Sequence, residues 1–430
     1  MKILLIEPRP PRSSSALLNL SVYPSLSLLQ LAALTPKEHE VEIVFETHRK
    51  VDFSWDGDIV GITSLTPNAL RAYEIADEFR KNGKKVVLGG WHPSALPNEA
   101  KQHADTVVIG EAERIWPQVL RDAEKGKLKP FYKDSKPVDP KEIPAADRSK
   151  DYRTSFLAAV QATRGCPFGC EFCGISNIPF GRIFRKREVK AVIQEIESIK
   201  QKYLWFYDAS LTIDPSYTKE LFKGMIGLGK KFVCFGNVNV LGRDEELLKL
   251  ASEAGCLYWF VGFESFSQDA IDKIGKRTNK VENYAKTVQM LHDYGMGVVG
   301  SFIFGFDVDT PTVFATTVEK IHEIVIDIAE FTILTPYPGT PLFERLNREG
   351  RILTYNWSKY TEDEVVFQPK NMTPEELVEG TQWARKEVMT LSSFFRRVLR
   401  DTAFLTRNFL PYARCKTLTL LGKIFSRVPE

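Results

Sequence analysis

Short apolar runs alternate with amphipathic stretches over the first 125 residues of the chain. The apolar runs predict buried strands, and they cover residues 3–6, 41–45, 59–63, 86–88 and 106–109. Residues 68–82, between two of these runs, have the apolar spacing of a helix. This alternation predicts an α/β unit over residues 1–125, with a doubly wound, Rossmann-like parallel sheet that carries helices on both faces.

Residues 126–155 contain prolines and many charges without an apolar period, and they predict a surface linker. A second alternation runs from residue 156 to residue 345. Its predicted strands are residues 157–162, 204–207, 232–236, 258–262, 298–305 and 331–335. Six such units favour a partial (β/α)6 barrel over a second doubly wound sheet, although periodicity alone does not choose between them. Residues 346–430 are predicted to form a mostly helical extension.

The strands of the first unit end in turns that suit a bound ligand, because ligands of doubly wound sheets bind at the carboxyl ends of the strands. These turns contain Thr63 and Ser64, the pair Gly89 and Gly90 with His92 close behind, and Glu111. Glycines let a bulky ligand approach the backbone, and hydroxyl groups offer hydrogen bonds. We therefore expect a ligand at this edge of the sheet.

The composition is that of a globular protein. With 430 residues, 43% hydrophobic and 26% charged, the chain is neither disordered nor fibrous. The net charge of +3 is spread over 58 basic and 55 acidic residues, so no global field indicates a nucleic-acid partner. Six cysteines are too few for a secreted disulfide scaffold. The N-terminal apolar run is too short for a targeting signal, and the nearly uncharged residues 295–306 are too few to cross a bilayer. These features predict a cytoplasmic protein.

Three cysteines form a C-x-x-x-C-x-x-C triplet directly after the first strand predicted in the second unit: Cys166, Cys170 and Cys173. Three soft thiolates on one tight loop fit three irons of a [4Fe-4S] cluster and leave the fourth iron open. A structural zinc site would need a fourth Cys or His, and none follows within about 60 residues. The glycine and proline between the cysteines also argue against three chance core residues.

This triplet, with Phe172 before its last cysteine and a (β/α)6 pattern behind it, resembles the radical S-adenosylmethionine enzymes. The resemblance implies that the cysteines ligate the cluster and that S-adenosylmethionine chelates the open iron, with Phe172 against its adenine. It implies Asp208 as the partner of the cofactor's amino group, and Glu264 and Ser265 as partners of its ribose or carboxylate. Cleavage of the cofactor would give a 5′-deoxyadenosyl radical that abstracts hydrogen from an unactivated carbon. Each of these strand-end residues has the alternative role of capping a buried strand, and no acid or base residue is identified.

The first unit resembles the cobalamin-binding domain that often precedes such barrels. The resemblance implies that cobalamin contacts the turn residues of the sheet edge, namely Thr63, Ser64, Gly89, Gly90, His92 and Glu111. The D-x-H-x-x-G motif, whose histidine binds cobalt in the mutases, does not occur in the sequence. His92 is the candidate for a direct cobalt contact, with hydrogen bonding to the backbone as its alternative.

Residues 335–342 and 350–353 and Trp357 resemble the segment after the sixth strand in a branch that includes hopanoid methylases and archaeal lipid-modifying radical enzymes. The resemblance implies cobalamin-dependent C-methylation of a hydrophobic, lipid- or isoprenoid-type substrate, with a ferredoxin or flavodoxin as electron donor. Two alternatives stay open. One is radical cyclisation or carbon-carbon coupling without methyl transfer, as in lipid or porphyrin ring formation, and the other is a non-catalytic iron-sulfur or cobalamin sensor.

The C-terminal segment is a distinct electrostatic unit. From residue 385 onward the chain has ten Lys or Arg against three Asp or Glu, a net charge of +7, which leaves −4 for the rest of a chain whose total is +3. Aromatic and aliphatic residues interleave with these charges, a pattern typical of a surface that lies in an anionic headgroup layer. The sequence therefore predicts peripheral contact with the inner face of a membrane. The alternatives are nucleic acid, which we do not expect, and a helix that packs its apolar face on the barrel and exposes its basic side.

Overall fold

The computed structural model describes residues 1–11, 25–153 and 156–400 of the chain, with side chains up to Arg397. The first six strands are β1 (Lys2–Glu7), β2 (Glu40–Phe45), β3 (Ile59–Thr63), β4 (Lys85–Gly89), β5 (Thr106–Ile109) and β6 (Phe131–Lys133). The helices that accompany them are α1 (Ser27–Leu34), α2 (Ala69–Lys81), α3 (Trp91–Ala95), α4 (Pro97–His103) and α5 (Ile115–Glu124). These strands form one sheet in the order β2-β1-β3-β4-β5-β6 with parallel pairing throughout.

Both faces of this sheet are covered, which explains why its strands are apolar at nearly every position. Along β1, Leu4 and Ile6 pack into the core on one face, whereas Ile3 and Leu5 pack into the core on the other. Alternate side chains of a strand point to opposite faces, so a strand buried on both faces loses the polar half of the pattern. The predicted Rossmann-like unit is confirmed in its architecture.

The predicted linker needs a correction. Strand β6 pairs with β5 in parallel register, with Val107 opposite Phe131, so the first sheet extends beyond residue 125. The strand is an edge strand of three residues with Tyr132 as its buried side chain. So short a strand, with one buried position, leaves no alternation in the sequence to detect.

The second unit is an open barrel. Its strands are β7 (Leu157–Val160), β10 (Tyr203–Phe206), β11 (Lys231–Gly236), β12 (Cys256–Glu264), β13 (Gly297–Phe304) and β14 (Ile328–Ile333), and a two-stranded hairpin of β8 (Thr163–Arg164) and β9 (Arg185–Lys186) lies between the first two. The sheet order is β14-β13-β12-β11-β10-β7, all parallel, and its two outer strands do not pair with each other. This is the partial (β/α)6 barrel that the sequence predicts.

The helices between the barrel strands are α6 (Gly174–Asn177), α7 (Val189–Ser198), α8 (Pro215–Met225), α9 (Val238–Leu241), α10 (Glu245–Ala254), α11 (Gln268–Lys273), α12 (Tyr284–Asp293) and α13 (Val313–Ile324). Local signals fix their ends. The Asp244 carboxylate accepts the backbone N–H of Leu247 before α10, and Gly255 ends that helix in the left-handed conformation. Phe302, Phe304 and Phe306 are buried in the core, so they do not line the barrel interior.

The C-terminal extension comprises α14 (Pro341–Arg348), α15 (Pro374–Val388) and α16 (Leu391–Arg400). Between the first two of these helices the chain returns to the first unit, where Trp357, Tyr360 and Val366 pack into the same core cluster as Leu4 and Ile6. The extension therefore binds the two sheets to each other. None of the helices described in the structure is both long and apolar enough to span a bilayer.

Candidate active site

A cleft lies between the carboxyl edge of the first sheet and the barrel. Two adjoining cavities of about 420 and about 200 Å³ form it, and both have Gly90, Gly110 and Glu111 in their walls. These volumes are of the size of ligand pockets. The larger cavity also reaches Gln161 and Tyr207 of the barrel. The cleft therefore connects the predicted cobalamin edge with the barrel mouth.

The wall of this cleft contains several glycines, and at Gly90 the close approach of the neighbouring backbone requires glycine. Gly90 has φ +96°, and a Cβ there would lie 2.6 Å from Thr63 Oγ1 and 2.9 Å from the backbone nitrogen of Ser64. Thr63 and Gly89 line the smaller cavity. Ser64 is buried, and its Oγ has no hydrogen-bond partner among the described residues. Bare backbone flanked by hydroxyl groups fits a large macrocycle with amide side chains, which is the character of cobalamin.

Glu111 joins the two sheets. Arg185 of the barrel hairpin donates two hydrogen bonds to its carboxylate, at 2.7 and 2.8 Å, and the backbone N–H of Val138 donates a third at 2.8 Å. Burial raises the pKa of Glu111, but these hydrogen bonds and the charge of Arg164 outweigh it, so the net pKa lies below its ordinary value. Arg164 also pairs with Glu113 at 2.7 Å. The carboxylate is thus held as an ion in the cleft wall, where its predicted contact with cobalamin stays a prediction.

The structure does not bring His92 to this cleft. The ring is fully buried, with Nε2 3.2 Å from Glu99 Oε1 and Nδ1 3.3 Å from Thr66 Oγ1. Trp357 of the extension packs edge-on against it, and the Trp357 indole also donates to Glu99. Both ring nitrogens of His92 thus have hydrogen-bond partners inside the protein. The direct cobalt contact of His92 stays a prediction, and in this structure the ring packs the extension onto the first sheet.

The cysteine loop follows β8 and is closed by hydrogen bonds to its own backbone. Asn177 Nδ2 donates to the carbonyl oxygens of Cys170 at 3.1 Å and Cys173 at 2.6 Å, and the backbone N–H of Cys166 donates to Gly181 O at 2.8 Å. Burial raises the pKa of Cys170 to about 12 and also raises the pKa of Cys166. Such thiols keep their protons until a metal replaces them. The loop is thus a preorganised carrier of three soft ligands.

The number of neighbouring thiolates distinguishes a cluster from a structural zinc site, because the loop supplies three cysteines and the sequence has no fourth ligand close by. In the part of the chain that the structure describes, no three His, Cys, Asp or Glu side chains converge as ligands of one metal ion. A zinc site requires that convergence, whereas each thiolate of a [4Fe-4S] cluster binds a different iron. The other two described cysteines, Cys234 and Cys256, are buried in the main core with their sulfurs 4.0 Å apart.

Asp208 holds the chain segment that leads into the cysteine loop. Its carboxylate accepts the Thr163 hydroxyl at 2.6 Å and the backbone N–H of Ala162 at 3.1 Å, and it also accepts the backbone N–H of Thr163. Burial raises the pKa of Asp208 to about 6, against the effect of these hydrogen bonds. The side chain therefore fixes the segment that leads into Cys166. Its expected contact with an amino group of the cofactor stays a prediction.

Glu264 stands at the end of β12 in a strained conformation. Its φ is +63°, and the pairing of β12 with β13 shifts register between Gly262 and Glu264. Asn279 holds this irregularity by donating to the carbonyl oxygens of Gly262 and Phe263 at 2.9 and 3.1 Å. A rare backbone conformation that the surroundings enforce is a frequent property of ligand sites.

Lys276 is a site residue that the sequence analysis missed. Its ammonium group donates to Glu264 Oε1, and a Cβ on Gly262 would lie 2.5 Å from Lys276 Nζ. Burial lowers the pKa of Lys276, but the charge of Glu264 and its hydrogen bond outweigh burial and raise the pKa, so the group stays a cation beside the cysteine loop. A buried cation there fits the carboxylate of an amino acid. Lys276 lies in the loop after α11, outside every strand end and without a motif, so no sequence signal points to it.

Asn237 is a second missed residue. It directly follows β11, its backbone N–H donates to Thr212 Oγ1 at 2.8 Å, and its buried Nδ2 has no hydrogen-bond partner among the described residues. A buried amide donor without an acceptor is costly unless a ligand supplies one. The rule of polar residues at strand ends would have identified it.

The remaining predicted contacts are placed near this group. Ser265 follows Glu264 and is buried, with its Oγ accepting the backbone N–H of Ser267 at 3.0 Å. Phe172 is half-buried and packs against the main core. Their contacts with S-adenosylmethionine stay predictions.

The inner face of the barrel is aromatic. On β11, Phe232 and Cys234 pack into the main core, so Phe235 points to the opposite face. Its ring lies 4.7 Å from Phe260 of β12 and 6.1 Å from Trp205 of β10. Three half-buried aromatic rings on adjacent strands give an apolar chamber wall.

Comparison with known proteins agrees with this geometry. Residues 160–321 match the model of the radical SAM superfamily, residues 22–120 match the B12 binding domain, and residues 340–429 match a domain of unknown function (DUF4070). The chain is 33% identical to bacteriochlorophyllide d C-12(1)-methyltransferase of Chlorobaculum tepidum over 92% of its length and 89% of that protein. It is 26% identical to hopanoid C-2 methylase of Rhodopseudomonas palustris over 77% of its length and 65% of that protein.

A solved structure has the same fold. The radical S-adenosylmethionine methyltransferase TsrM from Kitasatospora setae, with cobalamin and a [4Fe-4S] cluster bound, superimposes with a TM-score of 0.67 at 18% identity. The match covers 81% of this chain and 78% of TsrM. The arrangement of one doubly wound sheet beside one open barrel is therefore shared.

Proposed function

Because this chain belongs to the cobalamin-dependent radical S-adenosylmethionine methyltransferase family, we propose that it methylates an unactivated carbon of a hydrophobic, lipid- or isoprenoid-type substrate. The observation that carries the proposal is the single cleft that connects the sheet edge at Gly90 and Glu111 with the barrel mouth at Gln161 and Tyr207. Methylation of an unactivated carbon needs both the methyl donor and the hydrogen-abstracting group to reach that same carbon. A shared cleft supplies that proximity.

The family binds a [4Fe-4S] cluster, S-adenosylmethionine and cobalamin. When bound, they supply a radical that removes hydrogen and a methyl group that replaces it. In this chain we assign the cluster to Cys166, Cys170 and Cys173. The cation of Lys276 and the free amide of Asn237 would hold the amino-acid and nucleoside parts of S-adenosylmethionine.

The cobalamin contacts are assigned to the glycine-lined wall of the cleft. Gly89 and Gly90 offer bare backbone there, and Thr63 offers its hydroxyl group to the macrocycle's amide side chains. Glu111, ionised and held by Arg185, fixes the wall against the barrel hairpin. The protein would thus hold the carboxyl edge of the first sheet, where the methyl donor binds, in a fixed position relative to the barrel mouth.

The aromatic wall of the barrel supports an apolar substrate. Trp205, Phe235 and Phe260 keep part of their surface open to the barrel interior. Large aromatic side chains bind extended apolar skeletons and keep water away from a reactive radical. The similarity to a hopanoid methylase agrees with a lipid-type substrate.

The enzyme needs a reductant and a substrate, and we propose a ferredoxin or flavodoxin as the electron donor. We also propose peripheral membrane contact through the basic C-terminal segment, since a lipid-type substrate resides in a bilayer. Most of that segment, residues 401–430, lies outside the described residues.

The test is product analysis with a labelled methyl donor. The reconstituted enzyme is incubated without oxygen with S-adenosylmethionine labelled in its methyl group, a reducing system and a lipid extract of the source cells. We expect 5′-deoxyadenosine and a lipid product that carries the label, both absent from Cys170→Ala. Product without label would show cyclisation or coupling and overturn methyl transfer, whereas absence of 5′-deoxyadenosine from the wild type would indicate a sensor.

A further inference from the structure

Helix α16 (Leu391–Arg400) buries polar side chains against the protein and exposes large apolar ones, the reverse of a typical amphipathic helix on a soluble protein. Two polar side chains of the helix are buried against the protein, Ser393 and Arg397, and Phe394 between them is half-buried. Two large apolar side chains point outward instead, Leu391 at 57% and Phe395 at 58% exposure, together with the polar Ser392 and Arg396. Residues four apart lie on one face of a helix, so Leu391 and Phe395 form one outer stripe and Ser393 and Arg397 one inner stripe.

The inner stripe is locked by specific bonds. The Arg397 guanidinium donates to the carbonyl oxygens of Ile326 at 3.1 Å, Asp327 at 3.0 Å and Val388 at 2.8 Å. Ser393 Oγ lies 2.7 Å from His322 Nε2 of α13. If α16 rotated about its axis, the buried Arg397 guanidinium would lose these hydrogen bonds. The bonds therefore fix the outward position of Leu391 and Phe395.

Apolar exposure is concentrated around this helix. Trp383 of α15 is 44% exposed and Met389, between the two helices, is 43% exposed. Met389 lies two residues before Leu391 and Trp383 eight residues before it, so four exposed large apolar side chains fall within residues 383–395. A local concentration of this kind indicates a surface that is covered by a partner.

We infer that the outer face of α16, defined by Leu391 and Phe395, docks the enzyme onto an anionic lipid bilayer. This inference rests on the proposed function, because a bilayer is where a lipid-type substrate is found. The charges favour this partner. Arg396 is exposed beside Phe395, and Lys386 is exposed near the end of α15; such cations would meet lipid phosphates while Leu391 and Phe395 enter the acyl boundary.

The same charges argue against the other occupants of this face. Residues 401–430 carry five Lys or Arg against two Asp or Glu, so the chain's own C-terminal segment has the same sign of charge as the surroundings of α16. A second copy of the chain would present the same basic surface. An anionic bilayer is complementary to both α16 and the segment that follows it.

The test is co-sedimentation of the full-length, cofactor-loaded enzyme with vesicles of phosphatidylcholine, with and without phosphatidylglycerol. We expect binding to the anionic vesicles, weakened by salt, and a loss of tenfold or more in partition for Leu391→Ser/Phe395→Ser. The matched control, Ile226→Ser/Leu353→Ser, removes two exposed apolar side chains from elsewhere on the molecule. It should bind as the wild type does.

Failure of wild-type binding, or equal binding by Leu391→Ser/Phe395→Ser, would overturn the docking face. The docking face would also be overturned if light scattering showed that Leu391→Ser/Phe395→Ser changes the oligomeric state and that this change explains the weaker binding. Cleavage of S-adenosylmethionine is measured in parallel and should be unchanged in both variants. Labelled methyl transfer to detergent-dispersed lipid tests the proposed function independently, because it needs no vesicle.

Discussion

The indole of Trp91 lies directly on Gly174, so closely that a Cβ on Gly174 would fall 1.6 Å from Trp91 Cζ2. Trp91 begins α3 at the cobalamin edge of the first sheet, and Gly174 begins α6 immediately after Cys173. One side chain of the first unit thus packs on the residue next to a cluster ligand. A contact that requires glycine thus fixes the edge proposed to bind cobalamin relative to the loop proposed to hold the cluster.

Gly174→Ala is expected to push Trp91 away and to destabilise the protein by about 2 kcal/mol, the usual cost of overpacking. Because the contact joins the two units, the variant should also lose cobalamin during purification more readily than the wild type. Urea unfolding and cobalamin absorbance check these effects. Gly224→Ala is the control, since its added Cβ would meet only the Ile193 side chain, at 3.0 Å. Rescue of Gly174→Ala by Trp91→Leu would show that the ring is the obstacle, and absence of rescue would contradict it.

Lys276→Met is expected to weaken S-adenosylmethionine binding by tenfold or more and to destabilise the fold by about 3 kcal/mol. The buried Glu264 carboxylate loses its partner, which is the costly half of breaking an ion pair. Equilibrium binding and 5′-deoxyadenosine formation measure the first effect, and urea unfolding the second. Lys273→Met removes an exposed lysine that pairs with Asp269 on the surface and should change neither. Wild-type affinity in Lys276→Met would remove the residue from the site.

Glu111→Gln is expected to lower the free energy of unfolding at neutral pH by about 2 kcal/mol, because Arg185 loses a charged, two-bond partner. The folded-state pKa of Glu111 is depressed below 4.5, so the ionised carboxylate stabilises the fold above that pH. The stabilisation disappears as the pH falls through the folded-state pKa. The difference between wild type and Glu111→Gln should therefore shrink below pH 4.5, which urea midpoints across a pH series would show. A constant difference over that range would mean that the charge is irrelevant.

Cys170→Ala should abolish the visible absorbance of the iron-sulfur cluster and the cleavage of S-adenosylmethionine, since two thiolates cannot hold three irons. Iron content and 5′-deoxyadenosine are the measurements. Cys234→Ala is the control, because that thiol is buried in the core away from the loop. It should lower stability and leave iron content unchanged. A full iron complement in Cys170→Ala would refute the assignment.

Much of the fold could be predicted from the sequence, because each strand and helix of the two sheets has its own local pattern of apolar and polar residues. Both parallel sheets were predictable, since each buried strand is a short apolar run set between amphipathic helices. Strand β6 was missed because it buries only Tyr132 and gains its place from pairing with β5. The cysteine loop was predictable because its ligands are close in the chain and fold together as one turn.

Lys276, His92 and α16 show what the sequence alone left undecided. Lys276 reaches Glu264 from a loop without any motif, and His92 turns from the predicted cobalt to Glu99 because α3 faces the extension on that side. The alternative in which a basic C-terminal helix packs its apolar side on the barrel does not account for Arg397 of α16, which faces inward while Leu391 and Phe395 are exposed. The apolar periodicity and the spacing of the cysteines determined the two sheets, the cluster loop and the family to which the chain belongs. These features depend on residues that are neighbours in the chain. Which side chains meet across units, and which face of an amphipathic helix is buried, depended on carbonyl groups and cavities that exist only once the chain has folded.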